Sequence, residues 1–123
     1  MNDDSKPWLL GRLALGLGLA LQASEDFRDP EDHVEYAESA GVPFPSVLAP
    51  LASGVMVAAG LGIALWRLPR LATTAAAGFL VTVTATMHDF WNEEGDASGE
   101  RLAFFGNLAM LGGVLIALRR AFD

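Results

Sequence analysis

Five side chains near the ends of long apolar runs could do chemistry together. His88, Asp89 and Trp91 follow one uncharged run, while Gln22 and Asn107 place primary amides inside two others. An imidazole beside a carboxylate can pass a proton near neutral pH, and an indole can stack on a planar ring. A primary amide within an apolar layer needs hydrogen-bond partners. These five residues are therefore the candidate ligand-binding set, and their chemistry suits a quinone-like ring.

The alternative is that these residues only mark a boundary between lipid and water. Tryptophan is enriched at membrane interfaces, and Trp8, Trp66 and Trp91 all lie at the ends of apolar runs. Asp89 would then stay hydrated, and one hydrogen bond between helices would satisfy Asn107. The sequence leaves both interpretations open.

Four apolar segments must position these residues. The chain has 123 residues, of which 52% are hydrophobic, a mean hydropathy of +0.35 and a net charge of −7. Twelve of its 15 acidic residues fall in two stretches, Glu25–Glu38 and Asp89–Glu100, and the long runs outside them are nearly uncharged. Seventeen helical residues span ~26 Å, close to the ~30 Å thickness of a bilayer's hydrocarbon core.

We therefore predict an all-α fold, a four-helix transmembrane bundle with a short interfacial helix in the first outer loop. A single membrane domain covers residues 1–123. Its transmembrane helices lie at about 8–26, 46–67, 70–91 and 100–119, and its acidic outer loops at 27–45 and 92–99. A soluble bundle is disfavoured because its helices would each need a polar face. A signal peptide at the first run is disfavoured by a poor cleavage pattern.

The distribution of basic residues predicts the orientation. Six of the eight lysine and arginine residues belong to the two termini or to the turn after Trp66. If the chain crosses the membrane four times, both termini and this turn lie on the same side of it. Because basic residues concentrate on the cytoplasmic side, we expect a multi-pass protein of the cell membrane with both termini cytoplasmic.

The first loop contains helix signals of its own. Asp29 as N-cap, Pro30 at the first helical position and Gly41 at the far end predict a helix over PEDHVEYAES, with Val34 and Ala37 towards the bundle or the lipid headgroups. For the next helix the sequence predicts Ser46 as the N-cap and Pro50 in the first turn.

Small residues spaced four apart predict which helix faces approach closely, because lipid supplies no hydrophobic drive between helices. The four predicted stripes are Gly16/Ala20/Ser24, Gly54/Ala58/Gly62, Thr74/Gly78/Thr82/Thr86 and Ala109/Gly113/Ala117.

Several other chemistries find no support in the sequence. The segment EDFRDPEDHVE holds His33 among many carboxylates, but it lacks the spacing of a calcium or zinc site, so no metal is predicted. Solvation in high salt explains these acids better. Cysteine is absent, which excludes disulfides and iron–sulfur ligands within the chain. No phosphate loop, nucleophile constellation or basic patch for nucleic acid is present.

Several segments resemble the DoxX family of small membrane proteins. The C-terminal part of DoxX proteins is similar to DFWNEEGDASGERLAFFGNLAMLGGVLIAL. Both have Phe-Trp after the third helix, then an acidic loop, then a fourth helix with the pattern Asn-Leu-Ala-x-Leu-Gly-Gly. The segment RLALGLGLALQ resembles the family's first helix, and GVPFPSVLAPLASG resembles its second helix, which is marked by prolines. RLPRLAT resembles the family's inner turn. The acidic loops and single lysine resemble a haloarchaeal member.

The resemblance implies a four-helix integral membrane protein. Some relatives are tied to a thiosulfate:quinone oxidoreductase or to membrane complexes against oxidative stress, and most have no assigned activity. Two positions depart from the family pattern. Met56 stands where many relatives carry a glutamate, and Glu25 and Asp26 stand where a basic residue is common.

Together these observations favour a membrane subunit of a redox-linked complex, with no enzymatic activity of its own. A quinone is the cofactor this hypothesis allows, and Gln22, His88, Asp89, Trp91 and Asn107 would line its site. The expected partners are the lipid bilayer, membrane oxidoreductase subunits and further copies of the chain. The alternative is a non-catalytic membrane scaffold or a small-solute transport protein.

Overall fold

The computed structural model describes residues 6–87 and 98–123, with side chains described for residues 6–85 and 101–123. Regular structure within those residues is helical. The elements are α1 (Leu9–Ser24), a 3-10 turn (Glu25–Phe27), α2 (Pro30–Ser39), α3 (Pro45–Leu65), α4 (Pro69–Met87) and α5 (Ser98–Ala121). The predicted all-α fold is confirmed, with four long helices and a short one in the first loop.

Within the described residues, two helices are long and apolar enough to cross a membrane. They are α3, over Pro45–Leu65, and the part of α5 from Arg101 to Ala121. Only 11% of the α5 segment is buried inside the protein, against 39% of the α3 segment. An apolar helix left so exposed suits contact with lipid. That all four long helices cross the bilayer stays a prediction.

The closest helix packing joins α1 to α3, which run antiparallel. A Cβ atom built on Gly60 would lie 2.5 Å from the carbonyl oxygen of Gly16, and one built on Gly16 would lie 2.5 Å from the backbone nitrogen of Ala64. Real Cβ atoms do not approach backbone this closely, so only glycine fits at both positions. Their backbones therefore touch directly.

The core lies between these two helices and the α4–α5 pair. Ile63, Ala76 and Val114 are completely buried there. The end of α5 lies beside the start of α4, because Arg70 donates its Nε–H to the carbonyl of Ala121 at 3.1 Å. The antiparallel packing of α1 on α3 places the start of α1 at this same end of the bundle. We call it the terminal end, and the opposite end, which carries α2, the loop end.

The short helix α2 forms where the sequence predicts it. Asp29 is the N-cap, and its Oδ1 accepts a hydrogen bond of 3.2 Å from the backbone N–H of Asp32. Pro30 begins the helix, and Gly41 follows it with φ +88°. Ala37 is buried, so the apolar side of α2 faces the bundle as predicted.

The start of α3 differs from the prediction. Phe44, in a left-handed conformation with φ 47°, is the N-cap, and its side chain makes no capping bond. The fixed φ of Pro45 suits the first helical position, so the helix begins there and contains Ser46. The prediction that Ser46 is the N-cap was wrong. Pro50 consequently lies beyond the first turn, and the carbonyl of Ser46 lacks its usual i+4 donor.

The predicted stripes of small residues are correct on one helix and partly wrong on the others. Gly16 and Ala20 of α1 are buried against α3, as expected. On α3, however, the contact is made by Gly60 and Ala64, while a Cβ built on Gly54 would meet nothing within 4 Å.

On α4 the predicted face shifts in the same way, whereas on α5 Gly113 and Ala117 pack inward as predicted. Thr74 and Gly78 are exposed, and Ala76 and Leu80 face the core instead. On α5, Ala117 is buried, while Ala109 is exposed. Small residues lie on several faces of such alanine-rich helices, so spacing alone cannot select the contacting face.

Candidate functional site

A cavity of about 960 Å³ lies at the loop end, between α2 and the four long helices. We call it the loop-end cavity. Apolar side chains form most of its lining, among them Leu19, Met56, Phe79 and Met110. Its polar lining residues are Gln22, Asp26, His33, Tyr36, Ser53, Thr82 and Asn107. A mostly apolar cavity with a few convergent polar groups is the usual form of a small-molecule site.

Three of the polar residues form a hydrogen-bonded group, which we call the polar trio. The Ser53 hydroxyl donates to Oδ2 of Asp26 at 2.7 Å and lies 3.2 Å from Nε2 of His33. Nδ1 of the same imidazole lies 3.7 Å from Oδ1 of Asp26. Each member of the polar trio thus faces the other two.

Each member reaches the cavity from a different element. Asp26 lies in the 3-10 turn that continues α1, and His33 lies in the first turn of α2, which the Asp29 cap and Pro30 fix in place. Ser53 lies in α3, one residue before Gly54. The polar trio therefore connects α2 to the bundle through side chains as well as through the buried Ala37.

The short Ser53–Asp26 distance assigns the hydrogens of the polar trio. A hydroxyl has one proton, and at 2.7 Å from a carboxylate oxygen Ser53 must give that proton to Asp26. Ser53 is then an acceptor towards His33, so Nε2 carries a hydrogen and donates it. At 3.7 Å, Nδ1 is too far from Asp26 for a direct hydrogen bond.

This arrangement suits binding better than nucleophilic catalysis. A serine nucleophile donates its hydroxyl to a neighbouring base, usually an imidazole, and the imidazole is oriented by a carboxylate. Here the hydroxyl is already engaged by the carboxylate. The polar trio instead extends from solvent to the interior, because side-chain exposure is 33% for Asp26 and 20% for His33, while Ser53 is 1% exposed.

Of the five residues proposed from the sequence, two line the cavity. Asn107 of α5 is 8% exposed, and its amide makes no hydrogen bond to any described residue. Gln22 of α1 also lines the cavity, although it is an exposed residue. His88, Asp89 and Trp91 lie outside the described residues. A ligand site made by all five stays a prediction.

The sequence interpretation missed the polar trio and Tyr36 as cavity residues. Asp26 and His33 belong to the acid-rich segment that the sequence explained by solvation, and Ser53 interrupts an otherwise apolar run. A hydroxyl in such a run was the available signal. Within residues 6–87 and 98–123, no three His, Cys, Asp or Glu residues are arranged to hold a metal ion.

Comparison with known families bears directly on this architecture. The DoxX family model matches residues 7–89, about two thirds of the chain. The chain belongs to the DoxX family. As a DoxX protein it is a membrane protein, in agreement with its two long apolar helices. The DoxX match contains α1 to α4 and the whole polar trio, and ends before Asn107. No protein of curated function and no solved structure matches the chain.

Proposed function

We propose that this DoxX protein is a membrane subunit of a redox-linked complex that holds a quinone-type ring in the loop-end cavity. The observation that carries the proposal is the cavity itself, in which the polar trio and Asn107 interrupt an apolar lining. A quinone likewise combines a few polar groups with a large apolar surface, because its oxygens are attached to an apolar ring and chain. The protein positions this ligand and has no enzymatic activity of its own.

The dimensions and lining support such a ligand. About 960 Å³ is at the upper end of the range for small-molecule sites. Phe79 can stack on a planar ring, and the flexible thioethers of Met56 and Met110 can adapt to its edge. The amide of Asn107, which bonds none of the described residues, is a buried hydrogen-bonding group that a bound ring could satisfy.

The proposed setting is the cell membrane, crossed four times, with both termini in the cytoplasm. Arg67, Arg70, Arg119 and Arg120 all belong to the terminal end, which supports that orientation. The loop-end cavity and the acids of α2 would then face outward. The proposed partners are lipid, oxidoreductase subunits and further copies of the chain.

Purification from the native membrane tests the proposal. Mild detergent extracts should carry a quinone, detectable by mass spectrometry, and an oxidoreductase subunit. Asn107→Leu and His88→Ala should reduce the quinone content severalfold. Leu108→Ala is the control, since Leu108 is exposed on α5 and outside the cavity lining. An empty wild-type protein with no bound quinone or oxidoreductase would refute the proposal.

A non-catalytic scaffold is the second candidate, favoured by the largely uncovered α5. It predicts that the cavity variants change only stability and leave the bound partners unaltered. A small-solute carrier has less support, because carriers place their sites at interrupted helices, whereas α3 and the described part of α5 are continuous.

A further inference from the structure

We infer that the loop-end cavity selects ligands whose polar head donates hydrogen bonds, and so prefers a hydroquinone to the corresponding quinone. The inference rests on the proposed function and adds which redox form of the ring the site holds. The inference is based on the hydrogen-bond acceptors of the polar trio that are not used within the trio.

The donors of the polar trio are all used within it. The single proton of Ser53 goes to Oδ2 of Asp26 at 2.7 Å. The Nε2 hydrogen of His33 goes to Ser53 at 3.2 Å. Nδ1 of the neutral imidazole carries no hydrogen and can only accept. With His33 neutral, the polar trio therefore offers no donor to the cavity.

Acceptors remain free in the same three residues. The Asp26 carboxylate has lone pairs beyond the one that Ser53 occupies, and the Ser53 oxygen has a second lone pair beside the one that accepts from His33. All three residues line the cavity. A ligand head placed there therefore meets acceptors, one of which is negatively charged.

The two redox forms of a quinone ring differ in how they can hydrogen-bond to these acceptors. A hydroquinone presents hydroxyl groups that can donate to Asp26 or Ser53, whereas a quinone presents carbonyl oxygens that can only accept. A carbonyl facing the carboxylate would leave both groups unpaired in a partly buried site, which is costly. Asn107 does not discriminate, because an amide can donate to a carbonyl and accept from a hydroxyl.

The test compares three ligands that share one ring: tetramethyl-hydroquinone, tetramethyl-benzoquinone and the dimethyl ether of the hydroquinone. Binding to the purified full-length protein is measured anaerobically by titration calorimetry in one detergent. We expect the hydroquinone to bind about tenfold more tightly than the quinone, which is the effect of one hydrogen bond to a carboxylate. The ether, which has lost its donors, should bind as weakly as the quinone.

Asp26→Asn supplies the decisive variant. The amide can still accept from Ser53 and adds N–H donors, so the preference should disappear or reverse towards the quinone. Asp32→Asn is the matched control, because it makes the same change in an exposed residue of α2 outside the cavity lining. It should keep the tenfold preference.

The outcomes separate this inference from the proposed function. If the wild-type protein binds the quinone as tightly as the hydroquinone, the inference is overturned and a quinone-type site remains. If Asp26→Asn keeps the full preference, the polar trio is not its source and the inference is overturned. If no ring compound binds, the proposed function fails and the inference fails with it.

Discussion

Gly16 and Gly60 bring the backbones of α1 and α3 into direct contact. A Cβ atom on Gly60 would lie 2.5 Å from the carbonyl oxygen of Gly16 and 2.7 Å from the backbone nitrogen of Ala20. Both obstacles are backbone atoms, which cannot rotate away as a side chain can. The close packing of α1 against α3 therefore depends on two residues that have no side chain. α3 carries Ser53, and α1 leads into the 3-10 turn that carries Asp26.

Gly60→Ala should separate these helices and destabilise the protein. The added methyl group overpacks an interface that has no room for it, so we expect the free energy of unfolding to fall by about 2 kcal/mol. Unfolding in mixed detergent, followed by circular dichroism, measures the change. Gly54→Ala is the matched control on the same helix, since its Cβ would meet nothing within 4 Å. Equal stability of the two variants would contradict the close contact.

Ser53→Ala should loosen the attachment of α2 to the bundle. The substitution removes the hydroxyl that bonds Asp26 and contacts His33, while Ala37 still holds α2 by apolar contact. We expect the amides of α2 to exchange hydrogen about tenfold faster, which mass spectrometry of the α2 peptide can detect. Ser46→Ala makes the same change at an exposed position of α3 and should leave that rate unchanged. Unaltered exchange in Ser53→Ala would show that the polar trio does not hold α2.

Arg70→Gln should release the last turn of α5. The guanidinium of Arg70 donates to the Ala121 carbonyl and lies 5.3 Å from the centre of the Phe122 ring. Loss of both contacts should speed amide exchange at the C-terminus about threefold, in line with an exposed cation–π pair. Arg67→Gln removes the same charge from the same turn without that contact. A similar response in both variants would attribute the effect to charge alone.

Single cysteines can test the orientation, because the chain has no cysteine of its own. Ser39→Cys, at the end of α2, should react with a membrane-impermeant maleimide added to intact cells. Asp123→Cys, at the terminal end, should react only after the membrane is opened. The reverse pattern would invert the topology, and labelling of both sites in intact cells would contradict the three crossings expected between Ser39 and Asp123.

The parts of the fold that the sequence could predict depend on local interactions. The limits of α2 follow from the Asp29 cap, the fixed φ of Pro30 and the positive φ of Gly41, all within a few residues of each other. The α1–α3 contact was only half predictable. Gly54 and Gly60 both look suitable in the sequence, and the choice between them depends on how two distant helices fit together.

The candidate site also contains residues that the sequence could predict and residues that it could not. Asn107 was predicted to face inward because an amide in an apolar layer needs partners, and it lines the cavity. The polar trio was not predicted, since Ser53 is 27 residues from Asp26 and 20 from His33. Met56 and Asp26 both line the cavity.

The position of α5 has a consequence for how a ligand would arrive. α5 packs mainly against α4 and meets α1 at few points, one of which is the contact between Gly113 and Leu15. Asn107 and Met110 of α5 form one wall of the cavity. If all four long helices cross the bilayer, a seam between α1 and α5 would give a molecule dissolved among lipid tails a lateral route to the cavity that avoids water. Its rate of capture would then follow its concentration in the bilayer rather than in the surrounding medium.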